Sequence, residues 1–246
     1  MCTLFIYRSK NTEWPVLIAN NRDEYLSRSF MPPDYHWDNN VFAGKDNIEG
    51  GTWLGINNYG LCAAILNRNS DNLKKNKVKT RGYIVIEALK QKNAIAALNF
   101  IENNFKKNTK FFNLFISDYK NSFWIKYKDD ILKSYEIPYG YSIIDNYDLN
   151  DDKSKKQLLY KKIFLHKKLP NPKENNFKDW QEMLFLEEKY DNINLSSVFV
   201  TDPNSIYGTV CSSIIGLPNK DKTKDNIIWL YSENKSFYKK LSPFKQ

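Results

Sequence analysis

The residue with the clearest chemical potential is Cys2, which follows the initiating methionine in MCTLFIYRSK. Because methionine is removed when the next side chain is small, we expect the mature chain to begin at Cys2 and to carry a thiol and a free α-amine on one residue. An amine with an ordinary pKa of about 7.7 to 8 can serve as general base for a thiol with an ordinary pKa of about 8.5. This pattern predicts an N-terminal nucleophile. The alternative is that Cys2 is only a small apolar residue at the start of a strand.

A nucleophile of this kind needs no histidine. The chain has only His36 and His166, and a separate Cys/His/Asp triad would have to use one of them. Five consecutive polar residues, Asn20 to Glu24, end a predicted strand in ANNRDEY. There Arg22 would lower the pKa of a nearby thiol, and Asp23 would hold the α-amine by a charge-assisted hydrogen bond. The alternative is a solvated turn in which Arg22 pairs with a neighbouring carboxylate.

Two further stretches, GGTWLG and ILNRN, carry candidate binding groups. The paired glycines permit close backbone approach or positive φ, Trp53 offers a stacking surface, and the Asn67 amide is a candidate donor to an oxyanion. GGTW is equally consistent with a tight turn and a core tryptophan. In YGTVCSS, Cys211 lies on a predicted core strand, where a thiol is usually inert. The residues expected to contact substrate are Asn21, Trp53, His36 and Trp37.

The elements that must position these residues begin with strands. The first two predicted strands are CTLFIYR and WPVLIANNRDE, joined by the turn SKNTE. The polar loop RSFMPPDYHWDNN is expected to lack regular structure because of its two prolines. A second hairpin follows in GGTWLGINN and YGLCAAILNR, and the lysine-rich DNLKKNKVK is expected to be an exposed loop.

In the rest of the chain, the spacing of apolar residues is typical of helices in some segments and of strands in others. Two helices are predicted from RGYIVIEALKQ through NAIAALNFIENNF, then strands in FFNLFISD, NSFWIKYK and ILKSYEIP, then helices in SKKQLLYKKIFLHKKL and FKDWQEMLFLEEKY, and finally strands in SSVFVTD, TVCSSIIGLP and NIIWLYSE. This order predicts an α+β layered sandwich with mostly antiparallel sheets, formed by residues 1–246 as one domain.

Composition removes several other classes of function. The net charge of +9 is nearly all lysine in an asparagine-rich chain, a bias typical of an A- and T-rich genome, and no nucleic-acid reading motif is present. We therefore expect no nucleic-acid partner. The three scattered cysteines predict reduced thiols, and the absence of a CxxC pair argues against structural zinc. With no long apolar run and no signal peptide, we expect a cytoplasmic protein that does not span a membrane.

Taken together, these stretches resemble the family named for its Asn-Arg-Asp-Glu (NRDE) signature, the transport and Golgi organisation protein family and its bacterial relatives. The matching motifs occur in order over nearly the whole chain. They are Cys2 and Thr3, the signature at Asn21 to Glu24, GGTWLG at Gly50 to Gly55, LNR at Leu66 to Arg68, RG at Arg81 and Gly82, and YGTVCSS at Tyr207 to Ser213.

That family resembles the N-terminal nucleophile hydrolases, especially the penicillin V acylase and bile salt hydrolase group. The resemblance implies a four-layer αββα sandwich, which agrees with the order of strands and helices, and an amide C–N hydrolase that requires no cofactor. Carried over residue by residue, Cys2 attacks the amide carbonyl, Arg22 and Asp23 prepare the thiol and amine, and Asn67 donates to the oxyanion. The acylases space their arginine and aspartate further apart than the adjacent pair found here.

Two departures and one alternative accompany this resemblance. Val210 stands where many eukaryotic relatives have arginine after YGT, and LNR replaces the more usual Thr-Asn-X-Arg. Members of the family have been linked to lipid homeostasis and to trafficking of acyl-CoA and haem. The alternative function is therefore a carrier whose ligand is haem, an acyl thioester or another small hydrophobic molecule. In that case RSFMPPDYHW would form a lid, and His36 or Cys2 would be an axial ligand for haem iron.

Overall fold

The structure is a computed structural model that describes residues 2–38, 40–68, 80–107, 109–187, 197–200, 206–233 and the backbone of 238–240. It consists of two compact units. One unit comprises Met1–Ser27 with Pro138–Gln246, and the other comprises Arg28–Ile137.

The first unit contains a six-stranded sheet whose strands pair antiparallel in the order β10-β1-β2-β11-β12-β13. These strands are β1 (Thr3–Arg8), β2 (Val16–Tyr25), β10 (Gly140–Ile144), β11 (Tyr207–Leu217), β12 (Ile228–Ser232) and β13 (Tyr238–Lys240). The helices of this unit are α3 (Lys155–His166), a short 3-10 turn at Pro172–Glu174, and α4 (Lys178–Leu184).

One face of the six-stranded sheet is covered by α3 and α4. Because side chains alternate along a strand, every second residue of each strand enters this core. Phe5, Leu17 and Ala19 pack there against Tyr160 of α3 and Trp180 of α4. The same alternation determines which polar side chains at the strand ends meet the helices.

The second unit contains a seven-stranded antiparallel sheet in which chain order and spatial order coincide. Its strands are β3 (Phe30–Tyr35), β4 (Val41–Asp46), β5 (Leu54–Asn57), β6 (Cys62–Asn67), β7 (Phe112–Ser117), β8 (Ser122–Lys128) and β9 (Ile131–Glu136). Helices α1 (Gly82–Leu89) and α2 (Ala94–Asn104) connect β6 to β7. Their apolar residues, including Val85, Leu89 and Ile101, are buried against the sheet.

The α+β class and the mostly antiparallel sheets are confirmed, as are the two predicted hairpins and all four predicted helices. Strands β4, β10 and β13 were not predicted, and α4 ends earlier than the pattern indicates. The described part of SSVFVTD, residues 197–200, is not a strand. The lysine-rich segment DNLKKNKVK lies outside the described residues.

The expectation that RSFMPPDYHWDNN lacks regular structure is wrong, because Phe30–Tyr35 forms β3. This strand lies at the edge of its sheet, and its pairing with β4 shifts register between Met31 and Asp34. The two prolines fall inside that irregularity, where no N–H is needed for the ladder. An edge position with a bulge is where a strand tolerates proline.

Over the part of the chain that the structure describes, no helix combines the length and the apolar character needed to cross a membrane.

Candidate functional site

The predicted nucleophile lies at the end of the β1–β2 pair where the NRDE signature is found. Thr3 pairs with Asn21, so Cys2 immediately precedes the paired residues and lies next to Arg22. The Cys2 Sγ donates to the backbone carbonyl oxygen of Asp23 at 3.6 Å, and the side chain is half-buried. Strand pairing thus brings Cys2 close to Arg22 and to the backbone of Asp23.

The signature residues divide between the two faces of the sheet. Asn21 faces the helices: its Nδ2 donates to the carbonyl oxygens of Leu184 at 2.7 Å and Val198 at 2.9 Å, and its Oδ1 accepts from the Ser212 hydroxyl at 2.6 Å. By alternation Asp23 shares this face and Arg22 lies on the other. Because both N–H groups of the Asn21 amide bind protein carbonyls, a substrate could reach this amide only by displacing one of them.

The Asp23 carboxylate is buried and held by two partners. Its Oδ1 accepts from the Thr209 hydroxyl at 2.7 Å, and its Oδ2 lies 3.8 Å from Nζ of Lys156 on α3. Lys156 also donates to Oγ1 of Thr3 at 3.2 Å, and it is only 7% exposed. Sequence reasoning missed Lys156, although a signal was present. It lies at the same helical phase as Tyr160 and Phe164, which form the buried face of α3.

A bulge in β11 places its late motif against the signature. Thr209 pairs with Asp23 and Cys211 pairs with Arg22, with the register shifting between them. Val210 is therefore the extra residue of the bulge. The irregularity lets Thr209 share the face of Asp23 while Cys211 shares the face of Arg22.

The backbone carbonyl oxygen of Asp23 accepts hydrogen bonds from two side chains. The Tyr207 hydroxyl donates to the Asp23 carbonyl oxygen at 2.9 Å, and this is the oxygen that accepts from the Cys2 thiol. The Tyr207 ring is also in edge contact with Tyr25, at 5.6 Å between centroids. Burial raises the pKa of Tyr207, and the charges of Cys2 and Asp23 add to the rise. Tyr207 is thus a neutral hydrogen-bond donor to the site.

The three thiols differ in exposure. Burial, followed by the Asp23 carboxylate, raises the pKa of the half-buried Cys2, and Arg22 offsets only part of this rise. Burial raises the pKa of Cys211 to about 12 and that of Cys62 further still. Arg22 acts on the Cys2 thiol in the predicted direction, but it does not make the thiol a thiolate at neutral pH. A nucleophilic Cys2 therefore needs a base that takes its proton.

A second residue missed by the sequence analysis is Asn146, which follows β10. Leu4 pairs with Ile144, so Asn146 lies at the same end of the β1–β10 pair as Cys2. The side chain is 8% exposed, and its buried Nδ2 has no hydrogen-bond partner. A buried unsatisfied amide costs folding free energy and is a common mark of a functional site. No sequence pattern distinguishes this asparagine from its many neighbours of the same type.

The remaining predicted residues belong to the second unit. Asn67 is the exposed last residue of β6 and pairs with Phe112. Trp53 is buried, with its ring in edge contact with Phe30 at 5.7 Å. The His36 ring donates from Nε2 to the Pro32 carbonyl oxygen at 2.8 Å. Trp37 lies beside the His36 ring, at 5.8 Å between centroids.

The described residues contain no cluster of three or more His, Cys, Asp or Glu side chains that could hold a metal ion.

Comparison with solved structures identifies the class of fold. The chain is similar to penicillin V acylase from Agrobacterium tumefaciens, with a TM-score of 0.55 and 13% sequence identity over 94% of this chain and 83% of that one. It is also similar to a mutant of the conjugated bile acid hydrolase from Clostridium perfringens, with a TM-score of 0.54 and 13% identity over 97% and 92% of the two chains. The fold is that of the N-terminal nucleophile hydrolases.

The family follows from the sequence match. Residues 1–225 match the model of the Transport and Golgi organisation 2 family, and the chain belongs to that family. It is 39% identical over 85 residues to the Transport and Golgi organization protein 2 homolog of Bos taurus, covering 33% of this chain and 30% of that protein. The human homolog is 43% identical over 63 residues, covering 24% and 22%. The matched segments thus span less than a third of these two relatives.

Proposed function

We propose that this protein is an N-terminal nucleophile hydrolase that cleaves an amide C–N bond. The observation that carries the proposal is that the half-buried Cys2 thiol and Asn146, whose buried Nδ2 has no hydrogen-bond partner, follow the same end of the β1–β10 pair. A nucleophile and an available N–H donor are the minimal equipment for attack on a carbonyl. The two solved neighbours, an acylase and a hydrolase, support the same class of reaction.

The reaction begins after removal of Met1, when the α-amine of Cys2 takes the thiol proton. The sulfur attacks the amide carbonyl carbon, and the carbonyl electrons move to oxygen. The Asn146 N–H stabilises this oxyanion, in the role predicted for Asn67. As the tetrahedral intermediate collapses, the C–N bond breaks and the leaving amine takes the proton from the α-ammonium. The products of this half-reaction are a free amine and a thioester on Cys2.

Water completes the cycle. The α-amine accepts a proton from water, the hydroxide adds to the thioester carbonyl, and the C–S bond breaks to release a carboxylic acid. The Cys2 sulfur recovers its proton. Burial and the Asp23 carboxylate raise the pKa of the Cys2 thiol, so the thiol needs a base, and removal of Met1 supplies that base as the α-amine of Cys2.

The test compares a chain that retains Met1 with one released so that it begins at Cys2. Each is treated with limiting iodoacetamide at neutral pH, the labelled peptides are mapped, and hydrolysis of N-acyl anilides is followed by amine release. We expect preferential labelling of Cys2 and turnover only in the chain that begins at Cys2. Cys2→Ala should abolish turnover, and Cys62→Ala serves as the matched control.

Turnover that survives in Cys2→Ala would rule the proposal out. So would equal Cys2 reactivity with and without Met1. A reactive Cys2 that cleaves no N-acyl anilide would favour the alternative drawn from the sequence, a carrier of haem or an acyl thioester. A haem titration with His36→Ala and Cys2→Ala variants would then test ligation.

A further inference from the structure

Lys156 is a buried cation that the proposed reaction does not use. It projects from α3, which packs on the sheet face that carries Thr3, Asn21 and Asp23. Its Nζ lies 3.2 Å from Oγ1 of Thr3 and 3.8 Å from Oδ2 of Asp23. The Lys156 side chain is 8% exposed, and the Asp23 side chain is fully buried. A buried ammonium is tolerated when it is paired, and here both of its named partners adjoin Cys2.

The two partners are the residues that determine where the thiol lies. Thr3 follows Cys2 in the chain, and Asp23 supplies the carbonyl oxygen that accepts from the Cys2 Sγ. The Asp23 carboxylate is also the nearest negative charge to raise the pKa of that thiol. Lys156 therefore contacts both the strand that carries the nucleophile and the carboxylate that opposes its ionisation.

Charged and titratable groups come close to Cys2 or Asp23 from several elements. They include Arg22 on β2, Tyr207 and Cys211 on β11 and Lys156 on α3, and Asp145 follows β10. Asp145 accepts from the Ser154 hydroxyl and from Nε2 of Gln157 at 2.7 Å, so it is already bound to α3. Helix α4 contributes the buried side chains of Trp180, Met183 and Leu184.

We propose that Lys156 is a positioning residue of the Cys2 site, which neutralises Asp23 and thereby makes ionisation of the Cys2 thiol easier. This inference deepens the proposed hydrolase function and rests on it for its biological purpose. The Lys156–Asp23 ion pair affects ionisation of the Cys2 thiol whether or not the protein cleaves an amide.

The test measures the rate of Cys2 alkylation by iodoacetamide as a function of pH, in the full chain, by peptide mapping. Lys156→Gln removes the charge but keeps an amide that can donate to Thr3. It should raise the pH midpoint of Cys2 alkylation by about one unit, which is about a tenfold slower reaction below the midpoint. The matched control is Lys161→Gln on the exposed face of α3, which should leave the midpoint unchanged. Lys156→Arg, which keeps the charge, should stay near the parent.

Adding Asp23→Asn to Lys156→Gln should return the midpoint to the parent value or below it, because the carboxylate that opposed ionisation is then gone. Slow labelling of the buried Cys62 reports that each variant is folded. If Lys156→Gln does not fold, the Asp23→Asn variant alone decides, since it removes the carboxylate that opposes ionisation of the Cys2 thiol and should lower the midpoint.

An unchanged or lowered midpoint in folded Lys156→Gln overturns the inference, as does an unchanged midpoint in Asp23→Asn. This failure is distinct from failure of the hydrolase proposal. Turnover of amides by the parent with no midpoint shift in Lys156→Gln would remove only the role of Lys156. A midpoint shift without any amide turnover would remove only the hydrolase.

Discussion

The Ser212 hydroxyl donates a 2.6 Å hydrogen bond to Oδ1 of Asn21, and so ties β11 to the first residue of the NRDE signature. The same asparagine joins the sheet to α4 through the Leu184 carbonyl and to the segment that carries Val198. Asn21 is therefore a structural link between three parts of the first unit. The NRDE signature thus contains a residue whose side-chain amide is fully engaged in hydrogen bonds that hold the fold.

Replacing Asn21 tests this link. Asn21→Ala would leave the two backbone carbonyls and the Ser212 hydroxyl buried without their partner, at a cost of about 3 kcal/mol in the free energy of unfolding. Urea denaturation measures the change. Asn103→Ala, on an exposed face of α2, should change stability by less than about 0.5 kcal/mol. Equal effects of the two substitutions would contradict the structural role.

Replacing Asn146 should lower activity without lowering stability, in contrast to the replacement of Asn21. Because its Nδ2 is buried without a partner, Asn146→Leu should leave the free energy of unfolding unchanged or increase it. The same substitution should lower kcat for amide cleavage by about a hundredfold to a thousandfold if the amide binds the oxyanion. Asn67→Leu provides the comparison, since Asn67 was the predicted donor. Full activity in Asn146→Leu would return that role to Asn67.

Gly51 of GGTWLG and Gly82 of RG should be irreplaceable because their backbones pack directly against each other. A Cβ on Gly51 would lie 2.6 Å from the carbonyl carbon and 2.7 Å from Cα of Gly82, which starts α1. Backbone atoms cannot rotate away, so Gly51→Ala should destabilise the protein by about 2 kcal/mol or more. Gly50 is the matched control: its φ of +71° is strained for most residues but tolerable for asparagine, and a Cβ there meets no atom within 4 Å. Thermal unfolding of Gly51→Ala and Gly50→Asn should therefore differ clearly.

Ionisation of the Asp46 carboxylate should contribute to the free energy of unfolding, and acid should remove this contribution. Burial acts to raise its pKa, but the Arg28 hydrogen bond at 2.7 Å and the amides of Glu49 and Ile48 outweigh burial, and the pKa is lowered overall. A lowered pKa in the folded state gives stability that is present at neutral pH and is lost as the pH falls through the folded value. Asp46→Asn should thus cost on the order of 1 kcal/mol at pH 7.

The difference between Asp46→Asn and the parent should shrink as the pH falls below the ordinary aspartate pKa of about 3.9. Urea denaturation at pH 7 and at pH 3 measures it. A difference that is the same at both pH values would show that the Asp46 side chain acts through packing instead of charge.

The sequence by itself was sufficient for the class of fold and for the pairing of the first two strands. Two apolar strands joined by a short polar turn favour an antiparallel hairpin, and in the structure CTLFIYR and WPVLIANNRDE form one that brings Cys2 close to the NRDE signature. Helices α1 to α4 followed in the same way from an apolar repeat near 3.6 residues. These patterns depend only on residues that are close together in the chain, so they can be recognised in the sequence.

Tertiary structure decided what each polar residue does. The face on which Asn21, Arg22 and Asp23 lie depends on pairing register and on the bulge in β11, neither of which is visible in the sequence. Partners distant along the chain complete the site: Lys156 reaches Asp23 from α3, and Asn146 lies beside β1 only because β10 pairs with it. Residue types and local periods are properties of short segments, whereas contacts between distant residues exist only when the whole sheet and its helices have assembled.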